Sequence, residues 1–404
     1  MKILILDTVH GGGIIADKYP KKGDDVTCVD VYRVTTTDEI NRLMRKGYIV
    51  STEVPEGEYD TVLMPIHCSD SFLKGVTFRK RIFFSQSVGE LIDDHRFRIE
   101  VTGVKGKTSS CCLLAHVLTA AGRKVLVQTS RGRGRWADGI LEVEEKISIA
   151  PPSMLTLPDG DYDIVICEVS LGGSGKADIS CITNLIEDYP IAAGTRNASE
   201  GKMSILNKET NIVPKDEIEF WRGYGIGRVI GYGGRVKVLG KPKLGEIVKV
   251  QVDYGKGFEV HLKKSYLALE YIDAMEMALE VCERMGIPES YVKDGLSSFI
   301  GVPGRGEISL SDGRWTVTER NPGISADSVE RTFSTLKEMN SLNCAVAVLN
   351  PVNKKVCCKI DVDAIKKVAA EYNVIMFITD GSGTMPAIPE STGPVIIFVK
   401  EGYT

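Results

Sequence analysis

The segment Thr102-Gly103-Val104-Lys105-Gly106-Lys107-Thr108-Ser109 constrains this chain more than any other. It follows an apolar strand, RIEVTG, and leads into Ser109–Ala121, which reads as an amphipathic helix. Glycines allow backbone N–H groups to approach an anion closely. A helix N-terminus adds partial positive charge. Lys107 can reach the β- and γ-phosphates of a nucleotide, and the Thr108 hydroxyl can ligate Mg²⁺. A full phosphate-loop spacing would want glycine at position 101, where the chain has Val101, so the match is to a shortened G-x-x-G-K-T-S. The pattern predicts ATP and Mg²⁺ bound at Gly103–Ser109. The alternative is a glycine-containing strand–helix turn with a solvated lysine.

Mg²⁺ needs further oxygen ligands. The strand DIVICEVS offers Glu168, polar at the C-terminal end of an apolar run, where open α/β sheets build their sites. Taken alone, Glu168 could equally be a solvated strand-end carboxylate.

With 404 residues the chain is long enough for two or three domains. Residues 1–95 alternate MKILILD, VTCVDVY, DTVLMPIHC and RIFFS with a helix over Thr37–Lys46, capped by Thr or Asp, which suggests a small parallel α/β domain. Residues 96–304 carry the loop, the strands KVLVQTS, DIVICEVS and ISCITNL, and the hairpin-like VKVQVDYGKGFEVHL. A helix over Tyr266–Met285 stops at Gly286 with Pro288 beyond, and a second covers Glu289–Ser298. In 305–404 the alternation restarts, with strands WTVTE, CAVAVLN, VIMFITD and PVIIFVK and helices Ala326–Glu338 and Asp363–Tyr372.

The formal charge of −4 lacks the basic excess of a general nucleic-acid binder. No apolar run approaches the ~20 residues that span a bilayer. MKILILDT is too short for a signal peptide and reads as a first strand, so the cytoplasm is expected. Ten cysteines include the adjacent couples Cys111–Cys112 and Cys357–Cys358 but no C-x-x-C pair, a pattern of reduced, mostly buried thiols.

These residues resemble the Mur ligase family of ATP-dependent ligases. VTGVKGKTS is similar to the family's T-G-T-N-G-K-T-[ST] loop, ICEVS to its E-x-S strand, and ITNLIEDYP to its I-T-N-x-x-x-D-H segment. GVPGRGE resembles the linker into the third domain, and VTERNPGISADSV the D-x-x-x-N-P stretch. The resemblance implies an α/β fold with a central P-loop ATPase domain and flanking Rossmann-like α/β domains. It implies Glu168 as a magnesium ligand and Lys202 at the position of a lysine, often carbamylated, beside a second metal. It places Arg305 near the ATP phosphates, and Glu319 and Asn321 at the nucleotide or acceptor side. The chain departs from the family in three places: Lys105 replaces the loop asparagine, Tyr189 a metal-site histidine, and Glu270 and Asp273 the paired asparagines near adenine.

Those departures, with the arginine-rich stretch TSRGRGRW, resemble one divergent branch of the family whose substrate is a nickel tetrapyrrole with several carboxylates. The branch implies activation of a propionate-type side chain as an acyl phosphate, then closure of a carbocyclic ring by an internal carbon nucleophile. Lys107, Arg305 and Mg²⁺ on Thr108 and Glu168 would neutralise the transferring phosphoryl group. Arg131, Arg133 and Arg135 alternate, so in extended chain they would face one side and could pair with substrate carboxylates. The alternative there is a solvated basic loop. Tyr189 could line the substrate pocket or only fill the place of the histidine. His10 before Gly11-Gly12-Gly13 reads as a tight strand–helix connection or a substrate-binding turn, and His116 as a packed helix residue. Two other functions share the loop: an amide ligase joining an amino acid to a carboxylate, and a nucleotide-binding regulatory module without chemistry.

Overall fold

The computed structural model describes residues 1–186, 188–311, 313–351, 360–379 and 393–400. Cys357 and Cys358 lie outside them. The chain forms two compact units, one of Met1–Cys111, Arg123–Arg135 and Leu141–Tyr232, the other of Cys112–Gly122, Trp136–Ile140 and Gly233–Thr404.

The first unit opens with a parallel sheet of β1 (Lys2–Leu6), β2 (Asp25–Val29), β3 (Ile49–Ser51), β4 (Gly57–Met64) and β5 (Val76–Phe83), in the order β3-β2-β1-β4-β5. Ile3 to Leu6 are all fully buried, as expected of a central parallel strand covered on both faces. β5 is longer than RIFFS suggests. Residues Thr77 to Arg81 are exposed and end in the cations Arg79, Lys80 and Arg81, which suits an edge strand protected against further pairing.

Eight strands make the next sheet: β6 (Phe97–Thr102), β7 (Val125–Thr129), β8 (Gly132–Ala137), β9 (Ile140–Glu145), β10 (Ile164–Glu168), β11 (Ile179–Ile182), and, beyond a short pair β12 (Pro190–Ile191) and β13 (Arg196–Asn197), β14 (Thr210–Pro214) and β15 (Arg228–Tyr232). Their order is β15-β14-β11-β6-β10-β7-β8-β9, parallel from β15 to β7, with β8 antiparallel to β7. The helix Lys107–Ala120 follows β6. It is not amphipathic as expected. Cys111 to Ala115, Val117 and Leu118 are all buried, so it is apolar nearly all round.

In the second unit β16 (Val236–Leu239), β17 (Val248–Val252) and β18 (Phe258–Leu262) form an antiparallel sheet whose last two strands alternate buried and exposed residues. The expected helix over Tyr266–Met285 is a 3₁₀ turn, Ala268–Tyr271, followed by an α-helix, Ile272–Arg284. Gly286 leaves it at φ +64°. β19 (Arg305–Ser311), β20 (Arg314–Asn321), β21 (Val346–Asn350), β22 (Ile375–Ile378) and β23 (Val395–Lys400) form a sheet ordered β19-β20-β23-β21-β22, with only β19 antiparallel to its neighbour. Its core gathers Val317, Phe333, Leu336, Ile365, Ile396 and Phe398. Among the described residues no helix is long and apolar enough to cross a membrane. Of the described cysteines, all but Cys344 are buried free thiols.

His116 is packed, as its place in the helix suggested. Trp136 Nε1 can only donate and lies 3.4 Å from His116 Nδ1, so that nitrogen accepts and Nε2–H donates to Ser298 Oγ at 2.9 Å. This is a neutral imidazole, and burial holds its pKa below the ordinary value. The unfolded chain therefore binds a proton first, and stability should fall as pH drops from about 7 towards 5. Melting midpoints across that range should decline less in His116→Gln than in the parent. Equal slopes would remove His116 from the acid response.

Candidate active site

The functional residues of the first unit collect at the C-terminal ends of β6, β10, β7 and β11, neighbouring parallel strands of one sheet. This is where such sheets present ligand sites. The loop leaves β6 with Gly103 at φ +142° and Gly106 at φ +79°. A Cβ on Gly103 would sit 2.0 Å from Thr183 Oγ1, so glycine is required there by space as well as by backbone. The segment after β11 clamps the loop from that side. Thr183 Oγ1 donates to Lys105 O at 2.6 Å, Asn184 Oδ1 accepts from Lys105 N at 3.0 Å, and Asn184 O accepts from Val104 N at 3.0 Å. The resemblance to I-T-N thus has a mechanical content: its threonine and asparagine fix the curvature of the phosphate loop.

Lys107 Nζ folds back on the loop, 3.1 Å from Gly103 O and 3.4 Å from Val104 O. Beside it, Thr108 Oγ1 donates to Glu168 Oε2 at 2.9 Å. Glu168, 2% exposed, also accepts from Ser130 N at 3.0 Å, and Ser130 Oγ lies 3.1 Å from Thr108 Oγ1. Thr108 and Glu168, named separately from sequence, therefore meet. A hydroxyl and a carboxylate oxygen side by side are the hard donors that Mg²⁺ prefers. Ser130 was missed, although its place at the end of the apolar strand KVLVQTS was the available signal. Ser109 begins the second residue pair of the helix and is half-buried.

Lys202 is 1% exposed, and its Nζ donates to Gly103 O at 2.9 Å and Ser170 O at 3.0 Å. Burial, then the charge of Lys107, hold its pKa well below the ordinary lysine value, against an opposing pull from Asp188. Asp188 accepts from Ser199 N and Ser199 Oγ, both at 2.7 Å, and so anchors the short helix Ala198–Lys202. Tyr189 is half-buried, and its carbonyl accepts from Ala198 N at 2.9 Å.

The arginine stretch is a correction. TSRGRGRW is not a loop but mostly strand β8. Its glycines allow close backbone approach, since a Cβ on Gly134 would lie 1.8 Å from Glu142 O. Arg133 is 1% exposed. Its guanidinium donates to Gln128 Oε1 from Nε at 3.0 Å and Nη2 at 2.8 Å, to Ser153 O at 2.8 Å and to Glu145 Oε2 at 3.0 Å. An arginine spent on internal partners cannot also present itself to substrate, so the expected row of three is broken. Arg135 is exposed and Arg131 half-buried.

In the second unit Arg305 and Glu319 are cross-strand partners. Glu319 is buried. Burial, then the nearby carboxylate of Glu270, hold it well above the ordinary carboxylate range, while Arg305 and the Gly306 N–H pull it down. Arg331 Nη2 donates to Glu270 O at 2.8 Å. Arg305 Nε and Glu270 Oε1 are buried without hydrogen-bond partners among the described residues. Asn321 ends β20, two residues beyond Glu319.

No family model matches the chain. A solved structure of MurF ligase from Thermotoga maritima in complex with ADP superposes with a TM-score of 0.57, over 93% of this chain and 91% of that one, at 13% identity. The chain has the Mur-ligase fold. Among curated proteins, a coenzyme F(430) synthetase of Methanosarcina acetivorans is 32% identical over 223 residues, 51% of this chain and 47% of that protein. One of the same name from Methanocaldococcus jannaschii is 27% identical over 393 residues, 92% of this chain and 88% of that protein. The match thus spans about half the length of the first relative and most of the second. The resemblance read from the loop, the E-x-S strand and the departures around them is found in both comparisons. It lies with a Mur-ligase fold and, within it, with coenzyme F(430) synthetases.

The clamp on the loop makes a prediction. Gly103→Ala meets Thr183 and a forbidden φ together, whereas Gly106→Ala meets open space and only backbone strain of roughly 1–2 kcal/mol. Gly103→Ala should lower the melting midpoint several degrees more than Gly106→Ala and abolish binding of a non-hydrolysable ATP analogue. Equal, mild losses in calorimetry would contradict the clamp.

Proposed function

We propose that this chain is an ATP-dependent ligase that activates a side-chain carboxylate of a nickel tetrapyrrole and closes a carbocyclic ring to give coenzyme F(430). The observation that carries the ATP half is the Thr108–Glu168 pair beside Lys107 on a clamped glycine loop. The names of the two curated relatives support the substrate half. We also propose the division 1–95 for substrate, 96–304 for ATP and 305–404 for the third domain, and a cytoplasmic site of action.

In the first step a carboxylate oxygen attacks the γ-phosphorus, the bond to the β-phosphate oxygen breaks, and ADP leaves. The product is an acyl phosphate. In the second step an internal carbon nucleophile attacks the acyl carbon, a C–C bond forms, phosphate leaves with the C–O electron pair, and a proton is lost. The loop N–H groups of Gly106 to Ser109 and the ammonium of Lys107 would hold the phosphates, while the N–H groups of Val104 and Lys105 stay on Asn184. Lys105, where the family has asparagine, adds positive charge beside them. Lys202 braces the loop through Gly103 O. Thr108 and Glu168 would hold Mg²⁺, which supplies charge neutralisation on the phosphate oxygens when bound. Arg305, Glu319 and Asn321 are proposed for the nucleotide side on the resemblance, and Arg131, Arg135 and Tyr189 for substrate. Arg133 supports the strand instead.

The amide ligase remains the competing reading, because the loop residues serve both. Incubation with ATP, Mg²⁺ and the nickel-containing ring-open acid decides between them. ADP and phosphate should form in proportion to cyclised product, with no added amino acid. Turnover that requires an amino acid and ignores the tetrapyrrole would overturn the cyclase reading. Lys107→Ala should lower turnover by about two to three orders of magnitude, the scale of one transition-state cation. Unchanged turnover there would remove the mechanism.

A further inference from the structure

The first sheet has its own polar cluster, made by residues not assigned above. β1 ends at Leu6 and β2 at Val29, paired in register, so Asp7 and Asp30 follow side by side at the C-terminal edge. Asp7 is a buried carboxylate in a left-handed backbone conformation, φ +67°, which is uncommon for a residue other than glycine. Its Oδ1 accepts from Val9 N and His10 N, both at 3.1 Å. Its Oδ2 faces two imidazoles, His10 Nδ1 at 2.6 Å and His67 Nε2 at 3.4 Å. His67 arrives from the end of β4, the neighbour of β1 on the other side. The His10 and His67 rings meet edge to face at 4.9 Å, and Tyr32 stacks on His67.

Two properties set this cluster apart from an ordinary strand-end hydrogen bond. The three donor atoms, one from each of Asp7, His10 and His67, all lie within 4.8 Å of one another. Donors around a tetrahedral ion with bonds of about 2.0 Å lie about 3.3 Å apart, and the His67–Asp7 separation is already close to that. The His10–Asp7 pair, at hydrogen-bond distance, needs to lose its proton and open by under about 1 Å. Second, Asp30 is 3% exposed, and its Oδ1 has no partner among the described residues. Two buried carboxylates on adjacent strand ends, one with an orphaned oxygen, leave negative charge that a cation would balance.

We propose that Asp7, His10 and His67 bind one divalent transition-metal ion of the zinc–cobalt–nickel class, in addition to the magnesium donors Thr108 and Glu168. Two imidazoles and one carboxylate suit such ions and not Mg²⁺, which prefers oxygen donors and its own waters. Three protein ligands leave at least one position for water or an outside Lewis base. His10 and His67 are each about one-third exposed or less, so that position faces the accessible side of the cluster.

The test uses the full chain, stripped with chelator and titrated with Co²⁺ in excess Mg²⁺. One Co²⁺ per chain should bind, with visible absorption bands of a low-symmetry nitrogen–oxygen site, and Zn²⁺ should displace it. X-ray absorption on the loaded protein should count two imidazole nitrogens. His10→Ala and His67→Ala should each weaken binding at least tenfold, whereas His261→Ala, at an exposed strand position, should leave it unchanged. His67→Gln, which keeps a polar side chain of similar reach, should fold and still lose the bands; circular dichroism checks that it does. Absence of saturable Co²⁺ binding in the parent, or binding that survives both histidine substitutions, overturns the proposal. Neither outcome depends on the ligase reading, since no substrate is present.

Discussion

Much of the first unit's chemistry hangs on one carboxylate oxygen. Glu168 Oε2 accepts from the Thr108 hydroxyl and the Ser130 N–H, and so ties the end of β10 to the start of the loop helix and to the end of β7. A buried carboxylate is tolerable only with such donors around it. Removing it leaves the Ser130 N–H without this acceptor, at a cost of about 1–3 kcal/mol, and leaves the Thr108 hydroxyl with Ser130 Oγ alone. The hydrogen bonds that stabilise the resting sheet are made by the same atoms that would surround a cation. Mg²⁺ bound there, as proposed, would replace one set of partners with another on the same atoms.

The loop is held from two sides by different physics. On the β11 side, Thr183 and Asn184 use neutral hydrogen bonds of fixed direction. On the other, Lys202 is a buried amine on two backbone carbonyls, with its charged form disfavoured by burial and by Lys107. Gly103 O accepts from both Lys202 and Lys107, so the brace and the loop lysine meet on one carbonyl.

The strands with continuous apolar runs and the glycine loop were legible because periodicity and turn chemistry act locally. Helix Ala326–Glu338 and helix Glu289–Ser298 came out at their expected bounds for the same reason. What sequence could not supply was pairing. β5 was cut short because its exposed, partly charged segment Thr77 to Arg81 looks like a loop until the strand is known to be an edge. TSRGRGRW reads as an extended arginine row or a solvated basic loop, and sequence does not show that its glycines admit the backbone of a neighbouring strand. His67 lies 57 residues from His10 in the chain, and only the parallel order β2-β1-β4 brings both to Asp7. Glu168 and Thr108 were found because each carries a motif; Ser130 was not, because its only signal was its place at the end of an apolar strand and its main contact with Glu168 is made by a backbone N–H.

The burial of Arg133 changes the argument about substrate charge. With three arginines on one face, the stretch by itself would have matched a polycarboxylate. With Arg133 bound to Gln128, Ser153 and Glu145, its charge is partly cancelled inside the protein and its geometry is fixed by the strand. If the substrate is the proposed polycarboxylate, its recognition could not rest on this strand alone and would draw on cations elsewhere, Lys105 of the glycine loop being one candidate. A cation so placed would distinguish substrates by charge at the step where charge moves, which is where discrimination acts on rate as well as on affinity.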